Sequence, residues 1–170
     1  YVKDAEMFYY DMNLLSLMNM LYAQKCFCLA TLGGWLVSGN NGSSGGGWHR
    51  DSLDAQFKAM IYLSDVREEH GPFEILPRTH SLLNLFKSAR TLDEQADGFR
   101  YNEEQVQRVE DELKIKRITL TGGAGSLLIF NATAIHRGKP ISAGERLSLT
   151  NYYYPESWSK EELIKKFGVP

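Results

Sequence analysis

The sequence is poor in cysteine, and this scarcity excludes one class of protein. Cys26 and Cys28 are the two cysteines among 170 residues. Two positions apart on a strand they would share a face, which is a poor geometry for a disulfide between them. A scaffold held together by disulfides is therefore excluded, and we expect two structural thiols in a reducing, cytoplasmic compartment.

Long apolar runs and an excess of charge of one sign are also missing. The longest apolar stretches fall far short of the roughly 20 residues that a membrane-spanning helix needs, and the chain opens without a signal-peptide pattern. Lys and Arg number 19 against 21 Asp and Glu, so the net charge is only −2. We therefore expect neither a membrane nor a nucleic acid as the main partner.

The chain does contain enough apolar sequence for one packed domain. Hydrophobic residues make up 43% and charged residues 24%, as in ordinary globular proteins. We expect a single domain over residues 1–170, with a helical flank over 1–23, a β-barrel core over 24–154 and a C-terminal helix within 155–170. Because residue 1 is Tyr and not Met, we also expect a chain that is shortened at its N-terminus.

Hydrophobic periodicity predicts a helix at the front of the chain and many short strands after it. Apolar residues spaced by three and four predict one core-facing helix over residues 4–21. Asn102 and Ser159 are predicted N-caps of two further helices. The Gly33-Gly34 pair predicts a hairpin turn between two strands. The predicted strands cover residues 26–32, 35–38, 57–63, 73–76, 115–120, 126–130, 134–137 and 146–154. This pattern is typical of an antiparallel barrel or jelly roll, so we predict a mainly β fold with flanking α-helices.

Two histidines and one aspartate form a candidate metal site. His49 and Asp51 alternate in an extended segment, so their side chains share a face and can point at one metal ion. His136, after a nearly apolar strand, offers a second imidazole. Two imidazoles and one carboxylate form the facial triad of non-haem Fe(II) oxygenases. Taken singly, the first two residues also fit a solvated turn, and His136 also fits a hydrogen-bonded core histidine.

A glycine-rich segment leads into this candidate site. Seven of the 15 glycines lie between Gly33 and Gly47, and the segment ends two residues before His49. Glycine lets the backbone adopt conformations and close approaches that other residues cannot. We therefore expect the backbone to pass close to the metal in this segment, and we also consider it as a gate.

Arg146 is the candidate for binding an anion. If a hairpin is centred near Ile141, His136 and Arg146 are opposite each other and project to the same face. An arginine inside a barrel is costly unless it meets an anion, and a dicarboxylate suits the planar guanidinium. Ser148 shares that face and offers a hydroxyl donor. An internal Arg–Glu pair is the structural alternative.

Four ordered segments together resemble the phytanoyl-CoA dioxygenase family. They are residues 48–51 (WHRD), 71–81 (GPFEILPRTHS), 125–130 (GSLLIF), and the stretch from His136 to Arg146. The resemblance runs from about Cys26 to Tyr154. It departs from the family at Arg78, where members usually have Gly, and in the length of the N-terminal part, which is commonly greater in members.

The resemblance implies a fold, a site and an activity. It implies a double-stranded β-helix, with His49, Asp51 and His136 as iron ligands, and Arg146 as the anchor of the distal carboxylate of 2-oxoglutarate. Ser148 and Phe57 are further residues that the resemblance places in the cosubstrate pocket. The implied cofactors are Fe(II), 2-oxoglutarate and O2. The implied reaction is hydroxylation of a C–H bond in a small molecule with release of succinate and CO2, because relatives that halogenate lack the carboxylate supplied here by Asp51.

Two other functions and the nature of the substrate stay open at this point. One alternative is a cupin-like metal enzyme that does not use 2-oxoglutarate, and the other is a non-catalytic binding domain. Four arginines near the ligand-bearing segments suggest an anionic substrate, although a solvated rim explains them as well: Arg50, Arg67, Arg78 and Arg137. Nothing in the sequence predicts the oligomeric state.

Overall fold

Two antiparallel sheets dominate the computed structural model, which describes residues 3–39, 44–92 and 99–167. The described α-helices are α1 (Lys3–Tyr9), α2 (Met12–Tyr22), α3 (Leu82–Thr91), α4 (Glu103–Leu113) and α5 (Lys160–Phe167). The described strands are β1 (Cys26–Val37), β2 (Trp48–His49), β3 (Phe57–Tyr62), β4 (Phe73–Ile75), β5 (Arg100–Tyr101), β6 (Ile118–Leu120), β7 (Leu127–Asn131), β8 (His136–Gly138) and β9 (Glu145–Pro155).

The chain passes back and forth between the two sheets. The first sheet has the strand order β1-β9-β3-β7, and the second has the order β5-β2-β8-β4-β6. From β2 the chain crosses to β3 and returns to β4, and from β7 it crosses to β8 and returns to β9. Every strand pair among the described residues is antiparallel. This alternation is that of a double-stranded β-helix, so the predicted fold class is confirmed.

Apolar side chains fill part of the space between the sheets. Tyr62 and Met60 from the first sheet pack with Phe73 from the second, together with Leu128 and Phe130. A cavity lined by residues of both sheets occupies another part of this space. The sandwich therefore provides a packed core and an internal site side by side.

The helices cover the outer faces of the sheets. Helices α3 and α4 contact each other, and Val106 and Val109 of α4 pack in one cluster with Trp48 and Ile135. Helices α1 and α2 pack against β1 and β9, and α5 against β1. No helix within the described ranges combines the length and the hydropathy needed to cross a membrane.

The front of the chain forms two helices, and the prediction of one continuous helix was wrong. Asp11 interrupts it, because its side chain accepts hydrogen bonds of 2.9 Å from the backbone N–H groups of Asn13 and Leu14 and so caps α2. Such a cap stabilises a helix by about 1 kcal/mol. The expectation of a core-facing helix holds only in part. Leu14 and Met18 of α2 are buried, whereas many of the other apolar side chains of α1 and α2 are exposed.

The Gly33-Gly34 pair lies within a continuous strand, so the predicted hairpin turn at this pair was wrong. Both glycines pair with β9, opposite Leu149 and Ser148 respectively. A Cβ on Gly34 would stand 3.0 Å from Ser148 Oγ, so this glycine allows a close approach of the two strands and forms no turn. Of the glycine-rich segment after β1, residues 40–43 lie outside the described residues.

Helix α3 has no counterpart among the sequence predictions. Its apolar residues Leu82, Leu83 and Phe86 are exposed, and Ser88 is its buried residue. These apolar side chains of the helix therefore lie on an exposed face and not on its buried one. By contrast, the predicted caps are present. Asn102 accepts a hydrogen bond from the N–H of Gln105, and Ser159 from that of Glu162.

Candidate metal centre

His49 and His136 lie opposite each other in the second sheet. Strands β2 and β8 pair antiparallel with these two residues in register, and the two imidazole rings are 4.4 Å apart. Asp51 follows β2, where its backbone N–H donates to the carbonyl of Ala132. One ligand atom from each of His49, Asp51 and His136 lies within 4.8 Å of the others. The structure thus brings the three predicted residues together.

Hydrogen bonds orient both imidazoles toward Asp51. Nδ1 of His49 lies 2.8 Å from the carbonyl of Gly47, and Nδ1 of His136 lies 2.8 Å from that of Ala134. Because a carbonyl only accepts, each Nδ1 carries a proton, which leaves Nε2 as the ring nitrogen that faces Asp51 and can bind a metal. Nε2 of His49 is 3.3 Å from Asp51 Oδ1, and Nε2 of His136 is 3.8 Å from Oδ2. Two Nε2 atoms and a carboxylate therefore converge on one point.

The protonation states of these groups suit a metal ion. Burial lowers the pKa of His136 to about 4, even though the charge of Asp51 opposes this shift. Burial alone would raise the pKa of the Asp51 carboxyl, but a hydrogen bond with His49 and the charge of Lys58 outweigh burial and hold its pKa well below the ordinary value. At neutral pH the His136 imidazole is neutral and the Asp51 carboxyl is ionised, which are the forms that bind a metal.

The residues fit a non-haem Fe(II) ion. Two bonds of about 2.1 Å at a right angle hold their ligand atoms about 3 Å apart, close to the 3.3 Å between His49 Nε2 and Asp51 Oδ1. Two imidazoles and a carboxylate on one side of an ion leave further coordination positions open. These would face a cavity of about 340 Å³, a volume within the range of small-molecule sites.

Lys58 stands beside this centre, and the sequence analysis did not identify it. Its ammonium forms an ion pair with Asp51 Oδ2 and lies 4.2 Å from the centre of the Tyr152 ring. Its side chain is only 8% exposed. The available signal was one lysine inside the otherwise apolar strand β3.

Arg146 lines the same cavity as His136, although the reason given by the sequence analysis was wrong. No hairpin joins the two residues, because β9 pairs with β1 and β3 whereas β8 belongs to the other sheet. Arg146 is 2% exposed. Its Nη1 donates to the carbonyl of Gly71, and its buried Nε has no hydrogen-bond partner in the described part of the chain. The alternative of an Arg–Glu pair is not found there either.

Arg146 Nε is thus a buried donor without a partner in the described part of the chain. Leaving such a group unsatisfied costs about 1–3 kcal/mol, more for a charged group. A carboxylate bound in the cavity would satisfy it with the parallel hydrogen bonds that a guanidinium forms. Ser148, which is also buried and lines the cavity, lies two residues along the same strand and offers its hydroxyl group. These residues fit the distal carboxylate of 2-oxoglutarate.

The expectation that Phe57 belongs to this pocket is not met. Successive side chains of a strand point to opposite faces. Lys58 and Met60 of β3 line the cavity, which places Phe57 on the other face of the strand. There its ring packs edge to face against Tyr22, with 4.8 Å between the ring centroids.

Two of the four arginines proposed for an anionic substrate are bound to the protein itself. Arg50 is buried and donates to the carbonyls of Thr79 and Thr133 and to Ser88 Oγ. Arg137 forms ion pairs with two glutamates, Glu74 at 2.6 Å and Glu103 at 3.1 Å. Arg67 and Arg78 are exposed. The arginine that does line the cavity, besides Arg146, is Arg100.

A polar network supports the ligand-bearing strands from behind. Trp48 and Arg137 are the neighbours of His49 and His136, and Trp48 is buried among residues of α4. The guanidinium of Arg137 lies 4.3 Å from the Trp48 ring centre, and that of Arg117 lies 5.2 Å from it. Trp48 Nε1 also donates to Glu103 Oε2 at 3.0 Å. This layer fixes β2 and β8 against α4.

Comparison with known proteins gives a family match and several similar solved structures. The family model of phytanoyl-CoA dioxygenase (PhyH) matches residues 20–148, which include all the candidate site residues named above. The comparison with curated protein sequences gives no match.

The similar structures share the fold at low sequence identity. EctD from S. alaskensis, solved with 2-oxoglutarate and 5-hydroxyectoine, is 15% identical with a TM-score of 0.67, and the match covers 89% of this chain and 52% of that one. HygX from Streptomyces hygroscopicus, solved with iron bound, is 16% identical with a TM-score of 0.62, and the match covers 92% and 69%. SnoN, a non-haem α-ketoglutarate-dependent epimerase from nogalamycin biosynthesis, is 15% identical with a TM-score of 0.61, and the match covers 88% and 55%.

The chain thus matches little more than half of the length of EctD and of SnoN. The family model, in contrast, covers most of the present chain and both segments that supply the facial arrangement of two histidines and an aspartate. This chain belongs to the phytanoyl-CoA dioxygenase family.

Proposed function

We propose that this chain is an Fe(II)- and 2-oxoglutarate-dependent oxygenase that hydroxylates a C–H bond of a small molecule. One observation carries the proposal. A convergent set of two imidazoles and a carboxylate shares a cavity with a buried arginine whose Nε has no partner in the described part of the chain. A metal site alone would not need that arginine, and an anion site alone would not need the convergent set.

Different side chains of the cavity would bind the metal ion and the cosubstrate. His49, Asp51 and His136 would hold Fe(II), and Arg146 and Ser148 would orient the distal carboxylate of 2-oxoglutarate. When bound, iron and 2-oxoglutarate supply the activation of O2, with release of succinate and CO2. The apolar walls of the cavity, Met60, Phe73 and Phe130 among them, limit access of water. The protein thus supplies ligands, orientation and shelter.

Hydroxylation is proposed over halogenation because the third ligand is a carboxylate. Similar structures include an epimerase, SnoN, and a carbocyclase, SnoK, both α-ketoglutarate dependent. The fold therefore accommodates several reactions. With Asp51 present, no ligand position is left for a halide in place of the carboxylate. Transfer of an oxygen atom to carbon then gives a hydroxylated product.

We propose a small substrate that carries an anionic group. EctD and SnoN have been solved with small organic molecules, 5-hydroxyectoine and nogalamycin RO respectively. In this chain Lys58 and Arg100 line the cavity in addition to Arg146. Lys58 is paired with Asp51, so once Arg146 binds the cosubstrate, Arg100 remains to attract a negative group.

Binding of the cosubstrate can be tested without knowing the substrate. Anaerobic protein loaded with Fe(II) and 2-oxoglutarate is expected to show a weak metal-to-ligand charge-transfer band in the visible spectrum. The Arg146→Ala variant should lose most of this band at the same 2-oxoglutarate concentration. Arg108→Ala, which changes an exposed arginine of α4, is the matched control and should keep it. Full iron occupancy without a band would overturn the assignment of the cosubstrate.

Turnover separates the proposed enzyme from its alternatives. Slow O2-dependent formation of succinate in the absence of substrate would exclude an idle binding domain. Metal-dependent activity that is indifferent to 2-oxoglutarate would favour a cupin-like enzyme. With metabolite extracts, a product heavier than its substrate by one oxygen atom would support hydroxylation, whereas a product of unchanged mass would support epimerisation.

A further inference from the structure

Lys58 places an ammonium group directly beside the candidate metal centre. It lies on β3 of the first sheet, whereas His49 and His136 lie on the second. Its Nζ forms an ion pair with Asp51 Oδ2, and its side chain is 8% exposed. A charge so far from water is stable only beside a partner of opposite sign. In the described part of the chain, Asp51 is the carboxylate that pairs with it.

The ammonium binds an oxygen that borders the metal position. Oδ2, which accepts from Lys58, is also the oxygen that lies 3.8 Å from His136 Nε2, while Oδ1 lies 3.3 Å from His49 Nε2. No hydrogen bond within the described chain joins Lys58 to either imidazole. The ammonium therefore lies next to the set of ligands.

The Lys58 ammonium and a metal ion would compete for the negative charge of the Asp51 carboxylate. We propose that Lys58 is the counter-cation of Asp51 in the metal-free protein, stabilising the empty site and lowering its affinity for a divalent metal. The inference rests on the proposed function only in that His49, Asp51 and His136 hold the metal. It follows from Coulomb's law, because an ammonium beside the carboxylate both neutralises the ligand and repels the incoming ion.

The competing interpretation has the opposite sign. If Lys58 served to orient Asp51 as a ligand, as groups that hydrogen-bond to metal ligands commonly do, its loss would weaken metal binding by about 10–100-fold. A counter-cation predicts the reverse, since its loss leaves the carboxylate with its full charge for the metal. The direction of the change in affinity thus decides between the two interpretations.

The experiment measures metal affinity and the stability of the metal-free chain side by side. Co²⁺ is titrated against a competing chelator into the wild-type chain and into the variants Lys58→Met, Lys58→Gln and Lys58→Arg. Lys58→Gln keeps a donor for Oδ2 without charge, and Lys58→Arg keeps the charge. Lys139→Met is the control, because it removes a lysine from a more exposed ion pair with Glu68. Thermal unfolding of each metal-free protein gives its Tm.

We expect the two neutral variants to bind Co²⁺ about tenfold tighter than the wild type, from the removal of one positive charge beside the ion. Their metal-free Tm should be lower by about 2–4 °C, because Asp51 loses the charge of its ion-pair partner. The rise in Tm on adding Co²⁺ should therefore be larger in these variants. Lys58→Arg and Lys139→Met should bind Co²⁺ as the wild type does.

Every other result counts against the inference in a recognisable way. Equal or weaker Co²⁺ binding by both neutral variants, with normal binding by the wild type, overturns it and leaves the proposed function intact. If no variant and not even the wild type binds Co²⁺ or Fe²⁺, both fall together. Should Lys58→Met fail to fold, Lys58→Gln alone decides by the same criterion.

Discussion

Gly45 lies directly against the imidazole of His49. A Cβ built on Gly45 would stand 2.5 Å from His49 Cε1 and 3.2 Å from Nε2, distances at which one of the two groups must move. Gly45 also has a φ of +79°, in the region that favours glycine. The glycine-rich segment before β2 therefore approaches the candidate metal centre as the sequence led us to expect.

The Gly45→Ala substitution should displace His49 and weaken metal binding by more than tenfold. The physical reason is steric, because the added methyl group meets the ring carbon next to the ligating nitrogen. Co²⁺ titration measures the loss. Gly39→Ala is the matched control, since Gly39 has a φ of +96° with no atom within 4 Å of its added Cβ. It should lose about 1–2 kcal/mol of stability through backbone strain and keep its metal affinity. Equal losses of affinity in both variants would contradict the contact argument.

The sequence predicted those parts of the site that depend on neighbours along the chain. The alternation of His49 and Asp51 needs only an extended backbone, and the approach of Gly45 needs only a short connection. The relation of His136 to Arg146 depends on which strands pair, and here a nearby turn suggested a hairpin that does not exist. Both residues still reach one cavity, because a double-stranded β-helix brings strands of its two sheets face to face.

Lys58 shows why the rest could not be predicted. Strand β3 is apolar on both faces, so the sequence offers no alternation from which to decide which residues point into the cavity. Which alternate residues of β3 point into the cavity is set by its pairing with β7 and β9, strands that lie far along the chain. A shift of one residue in this pattern would put Phe57 in the pocket and Lys58 outside it, which is the reverse of the observed arrangement.

The ion pair between Glu110 and Arg117 should contribute to stability in acid, beside other carboxyls with a lowered pKa such as Asp51 and Glu103. Burial alone would raise the pKa of Glu110, but hydrogen bonds and charge from Arg117 outweigh burial and hold it below the ordinary 4.5. A lowered pKa means that this stabilisation is complete above about pH 4.5 and is lost as the pH falls through the folded-state value. Glu110→Gln should lower the free energy of unfolding at pH 7 by about 1–3 kcal/mol and flatten the acid dependence.

Urea unfolding at a series of pH values from about 3 to 7 checks this expectation, because carboxyls titrate in this range. The exposed Glu112 of the same helix offers a matched substitution, Glu112→Gln, which should change neither the stability at pH 7 nor its acid dependence. If Glu110→Gln kept the acid dependence of the wild type, another carboxylate would have to be its source.

Arg78 occupies a backbone conformation that favours glycine. Its φ is +66°, at the position where the resemblance to the family leads one to expect Gly. A non-glycine residue in this region costs about 1–2 kcal/mol of folding free energy, which a glycine avoids. Part of this advantage is lost because a glycine also makes the unfolded chain more flexible and so more stable. Arg78→Gly should therefore raise the free energy of unfolding by about 0.5–1 kcal/mol. Arg108→Gly, inside α4, should lower the free energy of unfolding by about 1 kcal/mol. Urea unfolding of the two variants checks the argument, because the same Arg→Gly substitution should then stabilise the protein at one position and destabilise it at the other.

The two cysteines should resist thiol reagents in the folded protein. Both are free, and burial raises the pKa of Cys26 to about 11 and that of Cys28 to about 12. At pH 8 the reactive thiolate is then on the order of a thousandth of the Cys26 population and less of Cys28, because only the ionised thiol attacks. A disulfide reagent that absorbs on cleavage should react slowly with native protein and fully with both thiols in denaturant. Fast stoichiometric reaction of the native protein would contradict the burial of these side chains.

The same pKa shifts fix a dependence of stability on alkaline pH. A raised pKa means that the folded chain holds its thiol protons more firmly than the unfolded chain, so stability is independent of these groups below the ordinary value of 9.0. Above that pH the unfolded thiols ionise first, and the free energy of unfolding falls as the pH rises. Replacing both cysteines by alanine should remove this part of the alkaline slope, while tyrosines with raised pKa values, such as Tyr22 at about 12, continue to contribute at higher pH. Urea unfolding of the two proteins between about pH 8 and 10.5 measures the difference, and parallel curves would show that the thiols are not its cause.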